Sequence, residues 1–185
     1  TSARDAIAAQ GIDVTCVDPA ACNAALNNGI HANEDALPFA ENSVDLVLSC
    51  GTLDTVNDLP GALILIRRIL RPDGLFLGAC VGAGSLPRLR QALLAAEGDQ
   101  PRPHLHPQID VRTAGDLLAR AGFAMPVADS EALTVRYSSI LTLMHDLRGM
   151  AGANVMTKDR RGDLTRDTIA QAAVHFAAAA DPDGK

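Results

Sequence analysis

The sequence predicts an α/β fold with a mostly parallel sheet flanked by helices, and three observations predict it. Helix-prone stretches alternate with short β-rich runs along the first 81 residues. Two of those runs, 44–50 and 75–81, are largely apolar on both faces, as strands covered from both sides are. With 185 residues, 48% of them hydrophobic, the chain is long enough to bury one substantial core.

Each element has its own signal. Residues 2–10 are Ala-rich and helix-prone, and Gly11 stands where a helix-ending glycine belongs. A β-branched run over 12–17 reads as a strand broken by Asp18-Pro19, and the helix over 20–26 stops at Asn27-Asn28-Gly29. After a polar stretch containing Pro38, 44–50 reads as a central strand. Asp58 is placed to cap a helix running from Leu59 or Pro60 to about Leu70. Arg71-Pro72-Asp73-Gly74 reads as a stop and turn before the strand over 75–81. Helices are expected at about 85–97 and 112–121, on either side of a Pro- and His-containing loop at 99–110, the second ending at Gly122. Residues 123–136 read as two short strands or one bent strand. A helix over 138–149, a polar loop over 152–163 and a helix over 165–179 follow, and no internal repeat is visible.

Composition narrows the function. Aromatic residues make up 3%, with no Trp and only Tyr137 among tyrosines, so the core is built from Ala, Leu, Val and Ile. The net charge is −6 and no basic stripe exists, which weighs against nucleic acid as a partner. Lys158, Arg160 and Arg161 cluster in one loop, while Arg67, Arg68 and Arg71 fall where cations favour a helix C-terminus. Cys16, Cys22, Cys50 and Cys80 form no C-x-x-C pair, so no zinc site is expected, and Cys16, Cys50 and Cys80, which sit in apolar runs, read as small core residues. No run reaches transmembrane length and no signal peptide is visible. A reducing compartment fits: cytoplasm, or the mitochondrial matrix if the source is eukaryotic. The chain opens at Thr1 directly in helical sequence and ends at Asp-Pro-Asp-Gly-Lys, so segments beyond both ends are expected.

Candidate chemistry begins at Asp18. In open α/β sheets ligands sit outside the carboxyl ends of the strands, and an acidic residue there accepts both hydroxyls of a ribose. The same residue also reads simply as a strand breaker and helix cap. In Asn33-Glu34-Asp35-Ala36-Leu37-Pro38-Phe39, a polar side chain can meet the exocyclic amine of adenine while Leu37 or Phe39 packs beside the ring; a solvated acidic turn is the alternative. His104 and His106, two residues apart without an assured third ligand, fit a loop better than a metal site. Asp146 and Arg148 fit either an incoming protein or local ion pairs.

Taken together, these segments resemble a known family. Ala36-Leu37-Pro38-Phe39-Ala40-Glu41-Asn42-Ser43-Val44-Asp45-Leu46-Val47 resembles a signature of class I S-adenosylmethionine-dependent methyltransferases, a Rossmann-like fold. Val56-Asn57-Asp58-Leu59-Pro60-Gly61-Ala62-Leu63 and the run from Ile66 through Arg71-Pro72-Asp73-Gly74 to Phe76 continue it. Asp146-Leu147-Arg148-Gly149-Met150 and Arg161-Gly162-Asp163-Leu164-Thr165-Arg166-Asp167 resemble a narrower subgroup, which holds bacterial BioC-like proteins and the mitochondrial complex I assembly factor 5 family. The resemblance implies one methyltransferase-like domain over 1–185, with strand 1, its glycine loop and a C-terminal strand missing and a helical cover from about 85–110 and 138–180.

It also implies a cofactor, S-adenosylmethionine, and residues to hold it. Asp18 takes the ribose; Asn33, with Glu34 and Leu37, takes the adenine; Ser49, Cys50 and Gly51 line the methionine side. Asn33 stands where the family usually has Asp and keeps an acceptor oxygen. Two departures stand out. The E/D-x-G-x-G-x-G loop is absent, and Gly78, Gly82 and Gly84 come too late to replace it. Where relatives often carry His-Trp or Gln-Trp before Val-Asn-Asp, this chain has Asp54-Thr55. Asp54 becomes the candidate base or orienting group, and His104, from the subgroup's Pro-His loop, the candidate facing substrate. The implied activity is methyl transfer to an unidentified acceptor. The alternatives are an assembly-factor role, as hydroxylase or scaffold on a respiratory-complex subunit, or a non-catalytic binding protein.

Overall fold

The structure, a computed structural model, describes residues 3–99, 101–150, 152, 154–156 and 163–180. Lys158, Arg160, Arg161 and most of the loop expected at 152–163 lie outside the described residues. In chain order the elements are α1 (Ala3–Ala8), β1 (Val17–Asp18), α2 (Ala21–Leu26), β2 (Ile30–His31), β3 (Val44–Cys50), α3 (Leu59–Ile69) and β4 (Leu70–Ala79). Then come α4 (Pro87–Glu97), α5 (Val111–Arg120), α6 (Ile140–Gly149) and α7 (Arg166–Ala178). The chain has the Rossmann-like α/β fold expected from its sequence.

It divides into two units: Thr1–Val47 with Asp58–Phe76, and Leu48–Asn57 with Leu77–Lys185. In the first unit β1 pairs with β2 in parallel, Val17 opposite Ile30 and Asp18 opposite His31. The turn between them explains Asn27-Asn28-Gly29. Asn28 takes a left-handed φ of 50°, which Asn tolerates better than most residues. Gly29 is required by close approach, since a Cβ there would lie 2.6 Å from the carbonyl oxygen of Cys16. That closeness lets Ile30 N–H reach Cys16 O at 2.8 Å.

The second strand pair is β3 with β4. Ser43 N–H donates to Ile69 O and Gly51 N–H to Ala79 O, so the two strands run the same way. Between those bonds β3 uses eight residues and β4 ten. The excess sits at Arg71-Pro72-Asp73-Gly74, where Asp73 has a φ of 64°. The expected turn is thus real as local geometry, but the ladder absorbs it and β4 begins at Leu70 rather than after Gly74. Across it Arg71 Nη1 donates to both carboxylate oxygens of Asp45, at 2.8 and 2.7 Å.

Side-chain caps start four helices as the capping rule requires. Asp58 accepts from Gly61 N–H, Asp110 from Thr113 N–H, Ser139 from Thr142 N–H and Thr165 from Thr168 N–H. α3 buries Ala62, Leu63, Ile66 and Ile69, one stripe at helical spacing. In the second unit Leu89, Ala92 and Leu93 of α4, Ile140 and Leu143 of α6 and Ala172 of α7 form one apolar core. Among the described residues no helix is long and apolar enough to cross a membrane.

Three expectations need correction. The run over 12–17 is paired only from Val17, because Cys16 O and Asp18 O are the carbonyls that find a neighbouring N–H. Residues 123–136 form no strand. Met125, Val127 and Leu133 are almost fully exposed there, and β-prone side chains make no strand without a hydrogen-bonded neighbour. Nor is each strand covered on both faces: Leu46 and Leu48 of β3 and Leu75 and Leu77 of β4 stay substantially exposed.

Candidate functional site

The first unit brings together the residues expected to read a nucleoside. Asp18 closes β1, and Ala20 N–H donates to its Oδ1 at 2.7 Å. The cap reading and the ligand reading are therefore compatible: one oxygen orients the side chain and Oδ2 takes no bond among the described residues. Parallel pairing puts the exit of β2 beside Asp18, so the segment 33–39 leaves from the same strand ends. His31 at that exit is tied back, its Nε2 3.1 Å from Pro19 O.

Ala36 N–H bonds Asn33 O, which folds 33–36 into a turn with Asn33 exposed and Glu34, Leu37 and Phe39 half-buried. Glu34 and Asp18 feel each other. Burial pushes the Glu34 carboxyl up, its own backbone N–H pulls it down, and the charges of Asp18 and Asp35 add to the rise, leaving it above the usual value. Carboxylates that crowd one another at strand ends suit a ligand rich in hydroxyl or amino donors.

The second unit holds the other candidates. Ser49 is buried, with its Oγ 2.8 Å from Thr52 Oγ1; Cys50 is exposed; and Gly51 N–H is taken by Ala79 O. Ser49 and Gly51 therefore shape the end of β3 by bonds of their own, and Cys50 is the side chain left open. A single 3₁₀ turn over Leu53–Thr55 places Asp54, whose Oδ1 is buried without a hydrogen-bond partner. Burial pushes the Cys80 thiol up and the charge of Asp54 pushes it further.

His104 is committed elsewhere. Its Nε2 lies 2.6 Å from Glu97 Oε1, with the two side chains only 3% and 9% exposed. Arg102 N–H holds the other Glu97 oxygen at 2.7 Å. Burial raises Glu97, but these donors outweigh it and hold the carboxyl below its usual value. His104 still borders a cavity of about 290 Å³, against Leu89, Leu93, Met144 and Arg148. Sequence reasoning gave His106 no role. Its Nδ1 is buried without a partner, and it lines a second cavity of about 30 Å³ together with Asp54. The spacing of two histidines in a loop carries no hint that one is bonded and the other not. Asp146 has local neighbours, its Oδ1 lying 3.7 Å from His145 Nδ1 and its charge helping to raise the Tyr137 hydroxyl after burial.

Comparison with known proteins follows the same lines. Residues 2–78 match the family described as a methyltransferase domain. The chain is 42% identical over 150 residues to the zebrafish (Danio rerio) protein named arginine-hydroxylase NDUFAF5, mitochondrial, covering 80% of this chain and 46% of that one. The human protein of that name is 43% identical over 148 residues, 78% of this chain and 43% of its own. The malonyl-(acyl-carrier protein) O-methyltransferase of Gallionella capsiferriformans is 37% identical over 123 residues, 66% of this chain and 41% of its own. The chain thus spans less than half the length of these relatives. Among solved structures the YcgJ protein from Bacillus subtilis superposes with a TM-score of 0.54 at 14% identity, over 91% of this chain and 68% of that one, a likeness of fold.

Proposed function

We propose that the chain belongs to the class I S-adenosylmethionine-dependent methyltransferase family, in its BioC-like and complex I assembly factor 5-like subgroup, and that the protein binds S-adenosylmethionine and transfers its methyl group to an acceptor. The observation that carries this is the pairing of Asp18 with the Asn33–Phe39 turn. An acidic side chain, fixed by Ala20 N–H, stands at a parallel strand end beside a polar turn that presents Asn33 and half-buries Leu37.

These residues fit the ribose-and-adenine half of the cofactor. Asp18 keeps Oδ2 for hydroxyl hydrogens, Asn33 offers an acceptor oxygen, Glu34 adds a second carboxyl, and Leu37 gives the apolar edge. To Ser49, Cys50 and Gly51 we assign the methionine side, by resemblance. When bound, the cofactor supplies a methyl group already activated on a sulfonium, so the protein's task is alignment rather than heavy acid–base work. Asp54, with an unsatisfied oxygen, is the side chain we assign to orient the acceptor or take its proton. His104 acts as a positioning residue, because its Nε2 belongs to Glu97. The setting is the cytoplasm, or the mitochondrial matrix in a eukaryote.

Calorimetry with S-adenosylmethionine tests the reading. Micromolar binding that Asp18→Ala abolishes is the expected result. Asp18→Asn, which keeps an acceptor for Ala20 N–H, should retain the fold and bind more weakly than wild type. Failure of the intact protein to bind the cofactor overturns the proposal and leaves a non-catalytic binding protein of this fold. A second reading has its own support, since relatives above 40% identity are named arginine-hydroxylase. In it the protein hydroxylates, or scaffolds, a respiratory-complex subunit. Mass spectrometry of captured subunits separates the two: one added methyl supports transfer, one added oxygen the hydroxylase.

A further inference from the structure

Two buried polar atoms of the second unit lack partners, and both belong to residues that line one small cavity. They are Asp54 Oδ1 and His106 Nδ1, the only buried side-chain nitrogen or oxygen atoms without a partner among the described residues. Burial without a bond costs about 1–3 kcal/mol for such a group, so two such atoms on residues of one cavity wall mark an unmet requirement. The cavity, about 30 Å³, has room for a single non-hydrogen group. It adjoins the larger one of about 290 Å³, because Leu105, Leu147 and Gly152 line both. That larger space lies at the lower end of small-molecule sites and is walled by five leucines and Met144 together with His104, Arg148, Asn154 and Asp163.

The chemistry of the two atoms selects the guest. A carboxylate oxygen only accepts, so the guest must donate to Asp54. His106 Nδ1 accepts or donates according to its tautomer, and as Nδ1–H it needs an acceptor. One hydroxyl does both, donating to Asp54 Oδ1 and accepting from His106 Nδ1–H. A carboxylate in the same place would face Asp54 as a like charge. Leu86, which also lines the small cavity, has φ 57° and ψ 42° directly before Pro87, a conformation disfavoured for a branched residue and twice so before proline. Strain of this kind gathers at ligand sites.

We propose that the second unit binds a small amphiphilic alcohol, its hydroxyl held between Asp54 and His106 and its hydrocarbon body lying along Leu89, Leu93, Met144 and Leu164. This site shares Asp54 with the acceptor side of the methyl-transfer reading, and the two fail separately because its occupancy is measured without cofactor.

The test is titration of the protein with 1-octanol, followed by calorimetry and by the His106 imidazole resonances. Saturable binding that moves His106, and that weakens roughly tenfold or more in both Asp54→Ala and His106→Ala, is expected. Asp54→Asn keeps an acceptor oxygen and should bind better than Asp54→Ala. Octanoate should bind more weakly than 1-octanol. The proposal is overturned if 1-octanol shows no saturable binding, if the variants bind it as wild type does while retaining the wild-type thermal midpoint, or if octanoate binds at least as tightly. Should both alanine variants fail to fold, the comparison of 1-octanol with octanoate on wild-type protein still decides it.

Discussion

His104 Nε2 lies 2.6 Å from Glu97 Oε1, and the bond pins the loop after α4 back onto the end of that helix. With Arg102 N–H on the second oxygen, Glu97 gathers two donors in a place nearly closed to water. Removing one member of a buried pair strands the other, at a cost of about 3–5 kcal/mol. Glu97→Ala should lose about that much in urea unfolding. His104→Ala should lose a similar amount, and the double variant should lose less than the sum.

The same carboxyl sets an acid limit. Its value in the folded protein lies below the usual glutamate range, so the unfolded chain binds the proton more readily. Its contribution is complete above the ordinary value, near pH 4, and disappears as the pH falls through the folded one. Stability measured between about pH 5 and pH 2.5 should fall more steeply for wild type than for Glu97→Gln.

Arg71 and Asp45 offer a contrast. Their contact is short, at 2.7 Å, but the side chains are 51% and 78% exposed. Water screens such a pair, and a double-mutant cycle should give a coupling below about 1 kcal/mol that shrinks further in strong salt.

At the β1–β2 turn, neighbouring residues should respond in opposite ways. Gly29→Ala drives a Cβ into Cys16 O and should destabilise by about 1–3 kcal/mol. Asn28→Gly relieves a left-handed residue and should be neutral or slightly stabilising, by no more than about 1 kcal/mol. Thermal midpoints of the two variants check both.

Cys80 reports on Asp54. Burial and then the Asp54 charge raise its thiol, so less thiolate is present near neutral pH. Asp54→Asn removes the charge, and alkylation of Cys80 by iodoacetamide at pH 8 should quicken roughly two- to fivefold. The difference should vanish at a pH high enough to ionise the thiol in both proteins.

What could be read beforehand divides along physical lines. Local signals survived: Asp58 caps α3, Asn27-Asn28-Gly29 turns the chain, and the helices among the described residues fall within a few residues of expectation. Pairing did not, because it depends on partners distant in sequence. Residues 12–15 and 123–136 have strand-like composition without strand pairing, and Pro72-Asp73-Gly74 has turn composition inside a ladder. The site divides likewise. The position of Asp18 at a strand end was legible from the β-branched run before it. The exchange of roles between His104 and His106 was not, because a carboxylate seven residues upstream decides it.

The surplus in β4 is even, and parity matters in a pleated strand. Two added residues return every later side chain to the face it would have had without them, whereas one would send each to the opposite face. The exposure pattern keeps that phase: Leu70 before the surplus is buried and Phe76 after it, at even spacing, is half-buried, while Leu75 and Leu77 look outward. Deleting a single residue between Arg71 and Gly74 would therefore turn Phe76 to solvent and its leucine neighbours inward. Deleting two would leave the strand in phase.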